Sequence, residues 1–312
     1  MELTREQLEA IASHAGERIK DVRAHAGGRY TLALPGGDRL SLLTFATALD
    51  AETALAALSM LRAEIDLPIP QVRASDASGR VAGAPWALTG ELAGEPLDAV
   101  LPRIPEEQLY KLGRRLGQVA YGVHRVACDR YGALAGADPF AADDERSYGV
   151  ARLEAALDEA QGGGLLDAEG AEAVRAWFDA SYAPAGARAA LVCGSLAPGD
   201  LLVRQSGGAW SLSALVRWDR AVGWSPAWEH ALLFDAAGGS RYFGLRVGYG
   251  NAYDEATQRT YEQVRDLALR PYRALLAVEQ LRDLAPGDAA AARRRAALMG
   301  LVGVRDDDAR SV

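Results

Sequence analysis

Three polar side chains that could carry chemistry lie within residues 191–203, which read L-V-C-G-S-L-A-P-G-D-L-L-V. Cys193 could act as a nucleophile if a nearby cation lowered its pKa, and the alternative is a buried, unreactive cysteine. Ser195 lacks the G-x-S-x-G setting of a nucleophile elbow and has no histidine near it in the sequence, which argues against serine hydrolase chemistry. Asp200 supplies a carboxylate, a group that binds cations.

A second polar segment, A-L-V-R-W-D-R-A, places Arg217 fourteen residues after residue 203. A guanidinium offers a fork of donors to a phosphate or carboxylate, so Arg217 could be a fixed cation for an anionic ligand. The alternative is an internal ion pair with Asp200 or Asp219 that fills the site. Arg217, Asp200, Asp219 and Ser195 are therefore candidate ligand contacts.

These segments resemble the catalytic loop and the metal-binding strand of the aminoglycoside and choline phosphotransferase family, where the usual strings are L-V-H-G-D-L-H-P-G-N-L-L-V and V-I-D-W-E. The resemblance implies an α+β, bilobal fold of protein-kinase type, with a small β-rich amino-terminal lobe and a large helical carboxyl-terminal lobe. It also implies that Ser195 replaces the catalytic-base aspartate, Asp200 a metal-binding asparagine, and Arg217, in the strand remnant at residues 215–219, a metal-binding aspartate. Cys193 stands where the family has a histidine.

These replacements argue against phosphoryl transfer, which depends on metal ions held by carboxylates and on an aspartate that accepts the substrate hydroxyl proton. A serine hydroxyl is uncharged and is no base at neutral pH. Two unit charges about 4 Å apart interact by roughly 4 kcal/mol near a protein surface, so an arginine at a metal position turns an attraction into a repulsion. The sequence predicts a degenerate pseudokinase that binds no metal and needs no cofactor.

The amino-terminal part reads as a helix followed by a hairpin. Thr4 and Gln7 form a capping-box pattern at the start of the helix. The runs at residues 29–34 and 39–45 have strand composition, and P-G-G-D at residues 35–38 favours a tight turn. This hairpin resembles the one that covers the nucleotide in the family.

The resemblance implies a phosphate-binding lysine on the second hairpin strand, and the sequence has none there. Lysine occurs only at Lys20 and Lys111. Glu52, in a helix predicted over residues 50–64, matches the glutamate that would pair with that lysine, and we predict a solvated side chain instead. The glycines at residues 26–28 stand where a glycine-rich loop would lie, without a G-x-G-x-x-G pattern.

The boundary between the lobes is predicted near Gly90, which divides the chain into residues 1–90 and 91–312. Residues 86–97 resemble the strand and hinge that join the lobes in the family. Backbone groups of this hinge would face an adenine if one bound, and Glu91 is a candidate ligand contact.

The large lobe is predicted to be helical. His124, near the end of the first of these helices, is predicted to be structural. His230 follows a G-W-S-P-A-W-E segment that resembles a helix start in the family, and it is a candidate ligand contact and general acid or base. By resemblance, helices in the middle of this lobe form the wall that sets ligand specificity. The predicted helices cover residues 105–126, 150–160, 167–182, 254–284 and 286–301.

Composition limits the class of protein. The chain has 312 residues, a net charge of −8 and two cysteines. The negative charge argues against general nucleic-acid binding, no apolar run reaches the roughly 18 residues of a membrane-spanning helix, and the start of the chain lacks signal-peptide features. We therefore expect a cytoplasmic protein with no membrane or nucleic-acid partner. The arginine-rich, lysine-poor composition suggests a bacterial source.

Three hypotheses about function follow. The first is a pseudokinase whose cleft binds a small molecule, a peptide or a partner protein. A variant is an ATP-independent enzyme that helps to close thioether rings in the maturation of bacterial peptide natural products, where degenerate members of the family occur. The third is an active ATP-dependent phosphotransferase for an antibiotic or other small molecule, which uses Asp200 and Asp219 in shifted roles.

Overall fold

The computed structural model describes residues 3–61, 69–182, 188–257 and 262–303. The strands are β1 (Asp21–His25), β2 (Arg29–Ala33), β3 (Arg39–Thr44), β4 (Val72–Asp76), β5 (Trp86–Gly90), β6 (Glu95–Pro96), β7 (Gly132–Ala133), β8 (Ala190–Val192), β9 (Leu201–Ser206), β10 (Ala209–Leu215) and β11 (Val222–Trp224). The helices are α1 (Arg5–His14), α2 (Ala48–Leu61), α3 (Leu97–Val100), α4 (Glu106–His124), α5 (Glu145–Gly162), α6 (Ala168–Ser181), α7 (Pro226–Ala236), α8 (Phe243–Thr257), α9 (Glu262–Leu281) and α10 (Ala289–Leu301).

A five-stranded antiparallel sheet with the order β1-β2-β3-β5-β4 forms the amino-terminal part. Successive side chains of a strand point to opposite faces, and one face of this sheet is apolar. Tyr30, Leu32, Leu42 and Trp86 on that face are buried in a cluster with Ile11 of α1. The sheet therefore has a core of its own, covered by the first helix.

Local sequence signals set the elements around this sheet. The capping box of α1 is confirmed, because Thr4 accepts a hydrogen bond from the backbone of Gln7 while the Gln7 side chain bonds back to Thr4. The predicted hairpin is also confirmed as β2 and β3, and it pairs Arg29 with Leu43 and Ala33 with Arg39. Strand β1, which pairs with β2, was not predicted.

Helix α2 begins earlier than the sequence pattern indicated. Thr47 and Asp50 bond reciprocally, each side chain accepting from the other residue's backbone N–H, and this arrangement satisfies donors that a helix start leaves free. The predicted helix end near residue 64 lies outside the described residues. Glu52 is exposed, as predicted.

The carboxyl-terminal part is mainly helical, and α4 and α8 pack closely within it. The helix predicted over residues 105–126 is α4, and its apolar residues at helical spacing are buried, at Leu109, Leu112, Leu116, Val119 and Val123. Gly248 of α8 makes this close packing possible, because a Cβ there would come within 2.1 Å of the Tyr110 carbonyl oxygen.

The structure differs from the sequence prediction near the carboxyl end. Over residues 254–284, where helical structure was predicted, the structure has the end of α8 and all of α9, and residues 258–261 lie outside the described part. The last helix starts at Ala289 rather than at residue 286, because the side chain of Asp288 caps it by accepting from the Ala290 backbone.

Two short sheets, β10-β9-β6 and β7-β11-β8, support the polar segments found in the sequence. The hairpin of β9 and β10 follows Asp200 and leads back to Arg217, and this hairpin was not predicted. Within the described ranges, no helix combines the length and the apolar character required to cross a membrane.

Candidate functional site in the interlobe cleft

The two polar segments predicted to act together lie side by side. Strand β8 leads into the loop at residues 193–200, and β8 pairs with β11, which follows the second segment. Gly194 has a φ of +74°, and a Cβ there would lie 1.8 Å from the carbonyl oxygen of Arg220. Only glycine allows this backbone shape and this contact together, so Gly194 holds the loop against residues 217–220.

Ser195 and Asp200 bond directly to each other. The Ser195 hydroxyl donates to Asp200 Oδ2 at 2.5 Å, and both side chains are partly buried. One carboxylate oxygen of Asp200 is therefore engaged by the residue that stands at the position of a catalytic base. The Ser195 hydroxyl is uncharged and is not a base for a substrate proton.

Arg217 and Asp219 form a two-fold hydrogen-bonded ion pair. Arg217 Nε donates to Asp219 Oδ1 at 2.7 Å and Nη2 donates to Oδ2 at 2.6 Å. The hydrogen bonds to Asp219 raise the pKa of the Arg217 guanidinium against the effect of burial, and the nearby charges of Asp219, Asp200 and Asp50 add to the rise. Of the two internal pairings left open by the sequence, the structure has the one with Asp219.

This arrangement does not fit a magnesium ion. A metal of this kind is held by carboxylate oxygens, and here Arg217 donates to both oxygens of Asp219 and would have to move for a metal ion to bind, while Ser195 donates to one oxygen of Asp200. The guanidinium also places a positive charge beside both carboxylates. In the described part of the chain, no group of three or more His, Cys, Asp or Glu side chains could hold a metal ion.

Cys193 is the start of the loop and is fully enclosed. Its thiol is 1% exposed and donates a weak hydrogen bond to the Ser195 carbonyl oxygen at 3.2 Å. Burial and the charge of Glu229 raise the pKa of the Cys193 thiol well above its usual value. The structure thus favours the unreactive cysteine of the two readings left open by the sequence.

The backbone of the loop is held from behind by Glu229, a residue that sequence reasoning missed. Glu229 of α7 is 1% exposed, and its Oε2 accepts the Cys193 backbone N–H at 2.6 Å. Its other oxygen lies 3.3 Å from Nε2 of His124, whose Nδ1 lies 2.9 Å from the Tyr253 hydroxyl. His124 therefore belongs to a buried polar network under the loop, in line with the structural role predicted for it.

Two predicted ligand contacts lie outside the cleft and are corrected here. His230 is 2% exposed and its Nδ1 lies 2.5 Å from the Tyr249 hydroxyl, because α7 turns this side chain into the large lobe. Glu91 is exposed and forms an ion pair with Arg39 at 3.6 Å. It borders a separate depression of about 320 Å³ on the edge of the sheet.

The cleft between the sheet and the helical part has a volume of about 800 Å³, within the usual range for small-molecule sites. It brings together three of the predicted residues, Asp200, Arg217 and Asp219. Ser195 does not line the cleft itself, and it is linked to the site by its hydrogen bond to Asp200. The remaining lining comes from Ala26, Gly27, Gly28, Arg29, Leu43, Thr44, Phe45, Ala46, Asp50, Pro96, Gly199, Leu202, Val216 and Arg220.

The cleft surface of β3 carries apolar side chains where the resemblance implied a lysine. Leu43 is packed with Leu92, Leu202 and Ala214 across the two lobes, and Phe45 borders the same cluster. Neither lysine of the chain lines the cleft.

The hinge backbone is largely engaged within the protein. The Leu92 N–H donates to Ser41 Oγ at 2.9 Å, and the Leu92 carbonyl oxygen accepts from Arg29 Nη1 at 3.3 Å. The Ala93 carbonyl oxygen accepts from Ser213 Oγ at 2.6 Å. Three groups that could recognise a nucleotide base therefore have partners already.

The charged cleft residues Arg29, Asp50 and Arg220 were also missed by sequence reasoning. For Asp50 the sequence did contain a signal, because T-A-L-D at residues 47–50 is a capping pattern that places Asp50 at the start of a helix. The hydrogen bonds between Thr47 and Asp50 agree with that pattern. For Arg29 the only sequence signal was the alternation of residue types along β2. That alternation does not show which strands pair with β2 or in which register, and so it does not place Arg29 at the cleft.

The sequence matches the model of the phosphotransferase enzyme family over residues 16–275. The chain therefore belongs to this family. No curated protein sequence matches it.

Solved structures of antibiotic phosphotransferases have the same fold. A thermostable mutant of aminoglycoside phosphotransferase APH(4)-Ia, in complex with ADP and hygromycin B, is 14% identical with a TM-score of 0.66, covering 97% of this chain and 99% of that one. The apoenzyme of macrolide 2'-phosphotransferase MphH from Brachybacterium faecium is 18% identical with a TM-score of 0.59, covering 94% and 97%. The GDP and kanamycin complex of APH(2")-IIIa is 14% identical with a TM-score of 0.58, covering 95% and 96%. At these identities the similarity shows the fold, a β-rich amino-terminal lobe and a helical carboxyl-terminal lobe.

Proposed function

We propose that this protein is a pseudokinase, which binds a ligand in the interlobe cleft and does not transfer a phosphoryl group. The observation that carries the proposal is the two-fold ion pair between Arg217 and Asp219. A cation in this position neutralises the nearby carboxylates and repels a metal ion, and metal ions bridge the nucleotide phosphates in this class of reaction.

Two further observations support the proposal. Ser195 donates a hydrogen bond to Asp200, and its uncharged hydroxyl is not a base that could accept the proton of a substrate hydroxyl. The hinge groups of Leu92 and Ala93 are bonded within the protein, and breaking those bonds would cost part of any binding energy gained by a purine base.

A thermal-shift titration with ATP and ADP, each with and without magnesium, tests this proposal. A ligand that binds only the native state raises the melting temperature by mass action. We expect no magnesium-dependent shift in the wild-type protein. In Arg217→Asp, Asp219 is released and a carboxylate is added, and a magnesium-dependent shift should appear.

Arg204→Asp is the matched control, since Arg204 is an exposed arginine of β9 away from the cleft. It makes the same change in charge and should behave as the wild type. Radiolabelled transfer from ATP to kanamycin and hygromycin B provides the second measurement. Transfer, or a magnesium-dependent shift in the wild-type protein, would refute the pseudokinase and favour an active antibiotic phosphotransferase.

The ligand that we propose is a small molecule or a peptide, with a partner protein as a further candidate. A second candidate function is ATP-independent thioether ring closure on a dehydrated peptide in bacterial natural-product maturation. In that addition the sulfur of a cysteine bonds to one alkene carbon and a proton goes to the other, so one proton-transfer group suffices. Asp200 and Asp50 are cleft carboxylates with no arginine hydrogen-bonded to them in the described part of the chain, and Asp200, which lies in the loop beside Ser195, could fill this role.

Incubation with a synthetic peptide that contains one cysteine and one dehydroalanine tests the second candidate. Ring closure leaves the mass unchanged and removes the free thiol, which alkylation followed by mass spectrometry detects. Asp200→Asn should abolish closure, while Asp50→Asn is a matched control at the rim of the cleft. Equal closure with and without the protein would exclude this function.

We also propose a cytoplasmic location, in keeping with two cysteines that form no disulfide, Cys128 and Cys193.

A further inference from the structure

Arg29 is a buried cation that faces the cleft. It lies on β2, where the strand register places it directly beside Leu43 of β3. Its residue surface is 6% exposed, and it belongs to the cleft lining. The cation that is missing from the central strand β3 is therefore supplied by the neighbouring strand.

The charge of Arg29 is not matched within the part of the chain that the structure describes. No carboxylate there forms an ion pair with it, and its one hydrogen bond runs from Nη1 to the Leu92 carbonyl oxygen. The edge formed by Nε and Nη2 has no such bond. Two parallel donors on one edge of a guanidinium fit two oxygens of a phosphate or carboxylate.

The surroundings of Arg29 add positive rather than negative charge. Burial, followed by the charge of Arg23, lowers the pKa of the Arg29 guanidinium. His25, which faces Arg29 in the strand register and lies 2.9 Å from Thr31 Oγ1, has its pKa lowered by burial and by both arginines. An anion bound here would compensate the repulsion between the charges of Arg29 and Arg23.

We propose that Arg29 is the anion anchor of the cleft, which binds the phosphate or carboxylate group of the ligand through its Nε and Nη2 edge. This inference rests on the proposed ligand-binding function and gives the class of ligand, an anion. A charge that is largely withdrawn from water and has no carboxylate partner is unfavourable in a folded protein. A bound anion would remove part of that cost. Because Arg29 lies beside Leu43 and the hinge, the anion would bind at the roof of the cleft, which is the side formed by β2 and β3.

The test is calorimetric and thermal-shift titration of the wild-type protein with sodium pyrophosphate, ADP, citrate and adenosine at matched ionic strength. Pyrophosphate and ADP represent phosphates, citrate represents carboxylates, and adenosine carries no anion. We expect binding of at least one anion and none of adenosine. In Arg29→Gln the dissociation constant of that anion should rise roughly 10- to 100-fold, the usual range for a lost hydrogen bond to a charged group.

Arg29→Lys keeps the charge and loses the fork, so it should weaken binding by less than Arg29→Gln, and it serves if the glutamine variant does not fold. Arg80→Gln, an exposed arginine elsewhere on the same lobe, should bind as the wild type does. Anion binding that is unchanged in both Arg29 variants, or no binding of any anion by the wild-type protein, overturns the inference. Neither result bears on phosphoryl transfer, which the magnesium and transfer assays decide separately.

Discussion

Two arginines, one beside a surface depression of the large lobe and one on the roof of the cleft, are compensated in opposite ways. Arg152 of α5 forms an ion pair with Glu279 and lies over two indole rings, 4.6 Å from the centre of Trp224 and 5.0 Å from that of Trp228. Burial lowers the pKa of Arg152, but the ion pair and the Tyr148 hydroxyl outweigh that effect. Arg29 has one carbonyl partner and an environment that lowers its pKa.

The difference separates charges that hold the fold from charges that await a ligand. An ion pair and aromatic faces compensate the lost hydration of Arg152, so its role is complete within the chain. Arg29 is compensated only in part, and groups whose pKa is shifted by their surroundings concentrate at binding sites. The same contrast holds for carboxylates, since Glu229 is enclosed in a polar network whereas Asp50 lies at the open cleft.

The largest expected effect on stability comes from breaking the ion pair between Arg152 and Glu279. Arg152→Met leaves the partly buried Glu279 carboxylate without its cation and should lower the free energy of unfolding by about 2–4 kcal/mol, less than for a fully enclosed pair. Urea denaturation followed by tryptophan fluorescence measures it. The double variant Arg152→Met/Glu279→Leu should recover most of the loss, because no charge is then left alone. A loss below about 1 kcal/mol in the single variant would show that this ion pair is not a structural requirement.

A smaller loss is expected at the support of the loop. Glu229→Ala leaves the Cys193 backbone N–H buried without its acceptor and should lower the free energy of unfolding by about 1–3 kcal/mol. The same denaturation experiment measures this loss. Glu107→Ala, which removes an exposed glutamate of α4 and its surface ion pair with Lys111, is the control and should lower the free energy of unfolding much less than Glu229→Ala does. Equal behaviour of the two variants would refute the role assigned to Glu229.

Removing the cleft cation should have little effect on stability. Arg29→Gln deletes a charge that has no partner carboxylate, so we expect the free energy of unfolding to stay within about 1 kcal/mol of the wild-type value or to increase. Arg152→Gln is the matched change in the large lobe and should be clearly destabilising. If both variants lose the same stability, the distinction between the two regions does not hold.

The smallest effect concerns the pH dependence of stability at His25, which pairs with Arg29 in the sheet and lines the separate depression at the sheet edge. His25 has a lowered pKa because of burial, Arg29 and Arg23, so below about pH 6.5 the unfolded chain binds a proton that the folded chain resists. Stability should therefore fall as the pH drops from 7 to 5. His25→Gln should reduce this slope, and urea denaturation at a series of pH values measures it. An unchanged slope would show that His25 is not coupled to the arginines.

Local patterns in the sequence were sufficient for much of the fold. The capping residues of α1, the hairpin of β2 and β3, and the apolar face of α4 follow from short-range periodicity. The meeting of residues 191–203 with Arg217 followed from the resemblance to a family, whose frame of glycines and apolar residues is intact.

The charges of the site could not be derived in the same way. The absence of a lysine from β3 is visible in the sequence, but the presence of Arg29 beside it depends on the register of β2. His230 looked like a candidate because of its residue type, and the rotation of α7 placed it in the interior. Glu229 adjoins it in sequence and reaches the loop, since neighbouring residues of a helix point in different directions.

The bonds of the hinge define how the two lobes can move. Leu92 is tied through both of its backbone polar groups to β2 and β3, while Ala93 is tied to β10 in the other lobe. The attachments to the two lobes thus meet at the single peptide between Leu92 and Ala93. Rotation of one lobe against the other must be taken up by the dihedral angles on either side of that peptide. An anion bound to the Nε and Nη2 edge of Arg29 would be held by the same side chain that bonds Leu92, so ligand binding and the opening angle of the cleft would be mechanically coupled.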